Sequence, residues 1–259
     1  MERALQTWLD AGIPFSWTAL GLAALAGLML TVFNLYLTSA VLHRGICHKA
    51  IAYPDGVKRA TAVWLWLTEC VPPLAWVATH LHHHANSDTE DDPHAPIFKG
   101  FWHVFLFTWY YVPVWARENR EMAGRRYLGR FKDERLLQAL DHPVVSLSNF
   151  YVQLGLSVLL GPVMLMFWLT RIVPYMLFSG YVNSVAHTYG HREHDNLGTD
   201  AYGWWQVLFG WIVGGESLGH NYHHHRPGSG TFTPDRFDPG FWFATTILRG
   251  KALRDRVDA

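Results

Sequence analysis

No residue between Ala11 and Leu42 carries a formal charge, an unbroken run of 32 positions. As a helix this run would measure about 48 Å against a hydrocarbon core of about 30 Å, so it must overhang a bilayer. The expected span lies at 17–38, its last turns projecting into water with His43 and His48. Glu2, Arg3 and Asp10 stand where a cleaved signal peptide would carry a basic region, which favours a retained helix. A second block is uncharged from Pro143 to Thr170 and, after Arg171, from Ile172 to Ala186. It predicts a helical hairpin, with Arg171 and Pro174 at the tip and Trp168 and Tyr175 near the interface. Two weaker stretches, 61–79 with Glu69 and Pro72-Pro73, and 101–116 with His103, read as interfacial or buried helices. A span at 61–79 would place the histidines before and after it on opposite sides of the membrane. The pattern predicts an all-α integral membrane protein of about three transmembrane helices, with room for a fourth, and a helical cap. It forms a single domain over 1–259: a span and first histidine segment (17–42 and onward), a polar segment (43–142), a hairpin (143–190) and a second polar segment (191–259).

Composition agrees with a membrane protein. Half of the residues are hydrophobic and only 16% charged, where a soluble domain carries about a quarter. Lys+Arg and Asp+Glu both total 21, which removes the basic footprint of a nucleic-acid binder. Cys47 and Cys70 are too few for a disulfide framework, and Cys47 is expected to pack against its helix turn. Twelve of the 21 basic residues lie in 44–135 and seven after His187, leaving Arg3 and Arg171 for the other face. The histidine side is therefore expected in the cytoplasm and the amino terminus outside.

Histidine is the anomaly: sixteen occur, most of them clustered. Three patterns stand out, His43-Arg-Gly-Ile-Cys-His48, His80-Leu-His-His83-His84 and His220-Asn-Tyr-His223-His224. Residues at i, i+3 and i+4 share a helix face, so each later triplet can aim its imidazoles at one place. His43 and His48 lie about 140° apart on an ideal helix and can act together only if the helix ends or distorts between them, which Gly45 allows. Asn183 and His187, four apart, share a face as well; spacing alone reads them as a polar patch between helices. Eight imidazoles in metal-ligand spacings point to a metal centre. Zinc takes about four ligands, so eight or nine suit two metals, although imidazole serves iron, copper, nickel and zinc alike. Glu69, Asp88, Asp92 and Glu216 are candidates to accept the second imidazole proton. His82 and His225 turn off the ligand face, His94 reads as a turn or outer element, and His103 and His142 as interface residues.

With HxxxxH, HxxHH and a second HxxHH in this order, the chain resembles the membrane fatty-acid desaturases from about Thr31 to Phe243. The resemblance implies two non-haem irons held by His43, His48, His80, His83, His84, His220, His223 and His224. Asn183-Ser-Val-Ala-His187 looks like the stearoyl-type segment whose histidine is a ninth ligand and whose asparagine reaches iron through water. Trp76 matches a tryptophan lining the acyl channel. The implied reaction uses dioxygen and two electrons to remove two hydrogens from adjacent methylenes, giving a cis alkene and water, with no catalytic residue beyond the metal centre. No further domain is expected after Phe243, so electrons would come from a separate ferredoxin or cytochrome b5 fed by an NAD(P)H reductase.

Two departures mark this chain. It has room for one span before the first box where the stearoyl-CoA enzymes have two, and it carries Ala78-Thr79 where they carry Arg-Asp. The stretch from Trp76 to Asp88 looks more like bacterial delta-9 acyl-lipid desaturases, which shifts the expected substrate from acyl-CoA toward a lipid-linked chain. A hydroxylase or acetylenase would share the boxes. A membrane metal transporter or metal sensor is the reading from another class, but transporters place ligands near the midplane of their spans.

Overall fold

Ser16 accepts a hydrogen bond from the Ala19 amide at 3.0 Å and so caps the first long helix, α2, Trp17–Leu37, which follows the short α1, Glu2–Leu9. The computed structural model describes residues 2–253 and is mostly helical. α2 passes without interruption into a π-helix, Thr38–Cys47, so one continuous helical rod of 31 residues leads to the first histidine pair. The chain then forms β1, Ile51–Ala52, α3, Asp55–Glu69, and α4, Pro73–Ala85. Short α5, Pro96–Lys99, precedes the apolar α6, Phe101–Glu118, and the polar α7, Arg120–Arg126, and α8, Arg135–Leu140. The hairpin α9, Pro143–Leu159, and α10, Pro162–Val185, leads to α11, Trp204–Ile212, α12, His220–His225, and α13, Pro239–Trp242. A second π-helix, Phe243–Ile247, ends in β2, Lys251–Ala252, which pairs antiparallel with β1.

Small residues let the long helices touch. A Cβ on Gly27 of α2 would strike Thr170 and the Phe167 carbonyl of α10, and Thr31 donates to the Arg171 carbonyl at 2.7 Å. Gly180 of α10 lies directly against the Phe105 backbone, which seats α6 across the end of α10 that leads to His187. Two helices, Trp17–Cys47 and Pro162–Val185, are long and apolar enough to cross a membrane; Pro143–Leu159, at 17 residues, is shorter.

The hairpin turns ten residues earlier than the sequence suggests. Its tip is Leu160-Gly161, where Gly161 has φ +88° and packs against the Trp8 and Ala11 carbonyls. Arg171 lies inside α10, buried, donating to Gln153 of α9 at 2.5 Å and facing Glu69 of α3 at 3.9 Å. Pro174 is tolerated within the helix, and Trp168 and Tyr175 are buried rather than interfacial. The 61–79 stretch is two helices, broken at left-handed Cys70 (φ +57°) and Pro72-Pro73. Glu69, a candidate partner for an imidazole, instead accepts from Asn34 and pairs with Arg171, because it closes α3 at the α2–α10 contact.

Candidate metal centre

The π-helix answers the geometric difficulty of the first box. Its i→i+5 bonding is drawn directly between the two histidines, the His48 amide donating to the His43 carbonyl at 3.0 Å, so residues five apart stack one turn above another. Gly45 is required for a different reason: a Cβ there would lie 2.8 Å from the Tyr53 ring. Arg130 closes the end of this segment by donating to the Ile46 and Cys47 carbonyls at 2.7 and 2.8 Å.

The nine imidazoles form two adjoining groups. His43, His48, His80, His84 and His223 bring ring nitrogens within 4.8 Å of one another, and so do His83, His187, His220 and His224. Each HxxHH triplet is thus divided. His80 and His84 join the first group while His83 joins the second; His220 and His224 join the second while His223 crosses to the first. The expectation that each triplet converges on one point is corrected here, because i+3 and i+4 differ by about 100° around a helix and lie on either side of residue i. The groups touch along the stacked His84 and His224 rings, 4.4 Å between centroids.

Five of the nine Nδ1 atoms have partners, while the buried His223 Nδ1 has none. His43 Nδ1 meets Glu216 at 2.6 Å, His83 Nδ1 meets Asp92 at 2.7 Å and His187 Nδ1 meets Asp88 at 2.8 Å. His220 Nδ1 lies 3.1 Å from the Glu216 carbonyl, and His224 Nδ1 lies 3.3 Å from Ser87 Oγ. Each carboxylate or carbonyl can only accept, so it fixes a proton on Nδ1, and in a neutral ring that leaves Nε2 a bare lone pair. Burial holds the imidazoles of His48, His80, His84, His220, His223 and His224 well below the usual histidine range, which keeps them neutral.

With the rings neutral, this proton arrangement fits cations. His187 and His220 point bare Nε2 atoms at each other across 2.9 Å, and His83 and His224 bury Nε2 atoms with no hydrogen-bond partner. In the first group the Nε2 atoms form a chain, His43–His223–His84–His80–His48, with every step 3.0 Å. With His43 Nε2 bare, all four steps could be hydrogen bonds only if His223 and His80 each gave one proton to two acceptors. A cation in each group satisfies every lone pair, and neutral imidazole is the form that binds one. Five imidazoles in one group exceed the four ligands of a structural zinc site.

Other histidines lie apart. His82 stacks on Trp115 and meets Tyr127 Oη at 3.0 Å, and His225 is exposed and stacked on His194. His94 is buried behind His83, its Nδ1 3.6 Å from Asp92. Asn183 is half-buried on α10 and makes no hydrogen bond to any of the nine imidazoles. Trp76 stacks on His80 at 4.9 Å and meets His43 edge-on at 5.7 Å. Sequence reasoning passed over Ser87, Asp200, whose carboxylate receives the Asn221 amide at 2.7 Å, and Asn221 itself. Buried Asn221 ties the third box to the loop before it through Glu193, His194 and Gly198; its place inside the box, between His220 and Tyr222, was the available signal.

Residues 15–231 match the family profile described as Fatty acid desaturase. Among curated proteins, the chain is 29% identical to an acyl-CoA 5-desaturase of Anemone leveillei, over 83% of this chain and 64% of that protein. It is 28% identical to an sn-1 stearoyl-lipid 9-desaturase of Synechocystis (81% of this chain, 62% of the relative). A delta-9 acyl-lipid desaturase of Arabidopsis thaliana is 30% identical (83% and 67%). The chain thus spans less than two thirds of the length of the first two relatives.

Proposed function

From the premise that this chain belongs to the fatty acid desaturase family, we propose that it is a membrane-bound fatty acyl desaturase with a non-haem diiron centre. The observation that carries the reading is the pair of buried imidazole groups, in each of which the ring nitrogens converge within 4.8 Å of one another, with the Nε2 atoms of His83 and His224 lacking any hydrogen-bond partner. Iron bound by His43, His48, His80, His84 and His223 and by His83, His187, His220 and His224 would supply the oxidising chemistry: one dioxygen, two electrons and two protons take two hydrogens from adjacent methylenes, giving a cis alkene and two waters. Glu216, Asp92 and Asp88 hold Nδ1 protons so that the rings cannot flip, and Asn183 is assigned a water-mediated place beside the second group. Trp76, stacked on His80, borders the acyl chain and fixes which carbons reach the centre.

Length supports two of the proposed spans. α2 measures about 32 Å and α10 about 36 Å, both beyond a hydrocarbon core of about 30 Å. Their far ends meet at α1 and the hairpin tip, where Trp8 Nε1 donates to the Val158 carbonyl at 2.6 Å, and their near ends carry the imidazoles. The reading is three spans, α2, α9 and α10, with the amino terminus outside and the centre at the cytoplasmic face.

The acyl chain is read as lipid-linked. Ala78 and Thr79, directly before the second box, are buried, and Thr79 Oγ1 donates to the Val112 carbonyl at 3.2 Å, so this position offers no cation to coenzyme A phosphates. A ferredoxin or cytochrome b5 with its NAD(P)H reductase supplies the electrons. The test is pulse-labelled lipid analysis of cells expressing the protein. New monounsaturated chains are expected first in glycerolipid; first appearance in acyl-CoA would overturn the carrier assignment, and hydroxylated chains without an alkene would overturn desaturation.

A further inference from the structure

The family match ends at residue 231, yet the first histidine box is gripped from beyond it. Arg44, between the two box histidines in sequence, is 0% exposed, and a buried guanidinium is retained only where partners surround it. It donates to Asp238 at 3.0 Å, to Glu216 at 3.3 Å and to the Gly230 carbonyl at 3.0 Å, with Ser39 as a further partner. Its plane lies 3.7 Å above the Phe232 ring, which itself packs on His223 at 4.2 Å and His43 at 5.3 Å. Asp238, 5% exposed, also receives the Phe232 amide at 2.8 Å and the Phe241 amide at 2.9 Å. One carboxylate thereby gathers the loop after the third box, the start of α13 and the first box.

The far end of the box is held by the same segment. The backbone of 243–252 repeats that of 43–52 although the sequences do not match. Both are π-helical, both carry an i→i+5 bond of 3.0 Å (His48 to His43, Leu248 to Phe243), and both then turn through a left-handed residue, Lys49 or Arg249, each at φ +55°. The two strands that follow, β1 and β2, pair antiparallel, with the Leu253 amide donating to the Ala50 carbonyl at 3.0 Å. His43 and His48 are therefore braced from both sides by residues after 237.

We propose that Asp238, with the strand that follows it, is the positioning element of the five-imidazole site, acting through Arg44 on Glu216 and so on the ring of His43. It is a positioning residue, since it touches no imidazole itself. The inference rests on the reading that each imidazole group holds an iron. Loss of such outer partners weakens metal binding by about 10–100-fold. That loss should fall on the five-imidazole site, because His187, His83 and His224 of the second group are held by Asp88, Asp92 and Ser87, and His220 meets only the backbone carbonyl of Glu216, not the carboxylate that faces Arg44.

The test uses the full chain loaded with 57Fe, comparing wild type with Asp238→Ala, Asp238→Asn and Asp238→Glu by iron content under chelator challenge and by Mössbauer spectroscopy. Asp238→Ala should release one iron about 10–100-fold more readily while the spectrum of the other is unchanged, and Asp238→Glu should restore most of the affinity. Should Asp238→Ala fail to accumulate, Asp238→Asn carries the test, since its one carbonyl oxygen can still accept one of the Phe232 and Phe241 amides, which reach different carboxylate oxygens, while the charge facing Arg44 is lost. Retention of both irons at wild-type affinity, or their joint loss, overturns the proposal. Wild-type protein holding fewer than two irons contradicts instead the diiron reading beneath it.

Discussion

His80→Ala should abolish desaturation and empty the five-imidazole group, lowering turnover by more than about 100-fold, the upper range for outer-partner losses. His80 Nε2 stands at the inner side of the chain of lone pairs, 3.0 Å from both His48 and His84. Its removal leaves the lone pairs of two neighbours without the cation that would bind them. His83→Ala should be as damaging to activity and yet remove iron from the other group, because His83 sits with His187, His220 and His224. His82→Ala is the control between them: its ring is bonded to Tyr127 and the Asp91 carbonyl, so the variant should keep its iron and lose about 1–3 kcal/mol of stability. Unsaturated product and iron per chain are the readouts. Iron loss in His82→Ala equal to that in His83→Ala would sink the division of the second box.

The second large effect is expected far from the imidazoles. Arg171→Met should destabilise the protein by about 1–3 kcal/mol, since it removes the bond to Gln153 and the cation 3.9 Å from Glu69, whose carboxyl burial already pushes up to about 8 and which then stays protonated between α2, α3 and α10. Glu69→Gln combined with Arg171→Met should recover part of that loss. Asn34 still donates to residue 69 in the double variant, and Gln153 keeps its bonds to the Leu67 carbonyl and Asn149. Unfolding in detergent, followed by helix content, measures both. A single variant within about 1 kcal/mol of wild type, or a double variant no better than the single, would show that the pair is not what joins these helices.

Much of this architecture is legible in the sequence, for reasons that are local. A 32-residue uncharged run and the i, i+3, i+4 spacing of histidines are readable because one helix carries each of them. The same rule hides the division of each triplet, since only the packing of four segments decides which side of His80 or His220 faces which group. A charge within an apolar run looks like an end, which draws the expected hairpin tip to Arg171; the turn instead lies at Gly161-Pro162, where Gly161 has positive φ and Trp8 lies close. Of four acids near the boxes, Asp88, Asp92 and Glu216 reach imidazoles and Glu69 does not. Arg44 and Asp238 lie 194 residues apart, and nothing local announces their pairing.

If each imidazole group holds one redox-active ion, as proposed, metal analysis of the purified wild-type chain should find two irons per chain, one for each group, both required for oxygen-dependent turnover. A single exchangeable zinc or copper, with no iron and no oxygen uptake, would contradict it.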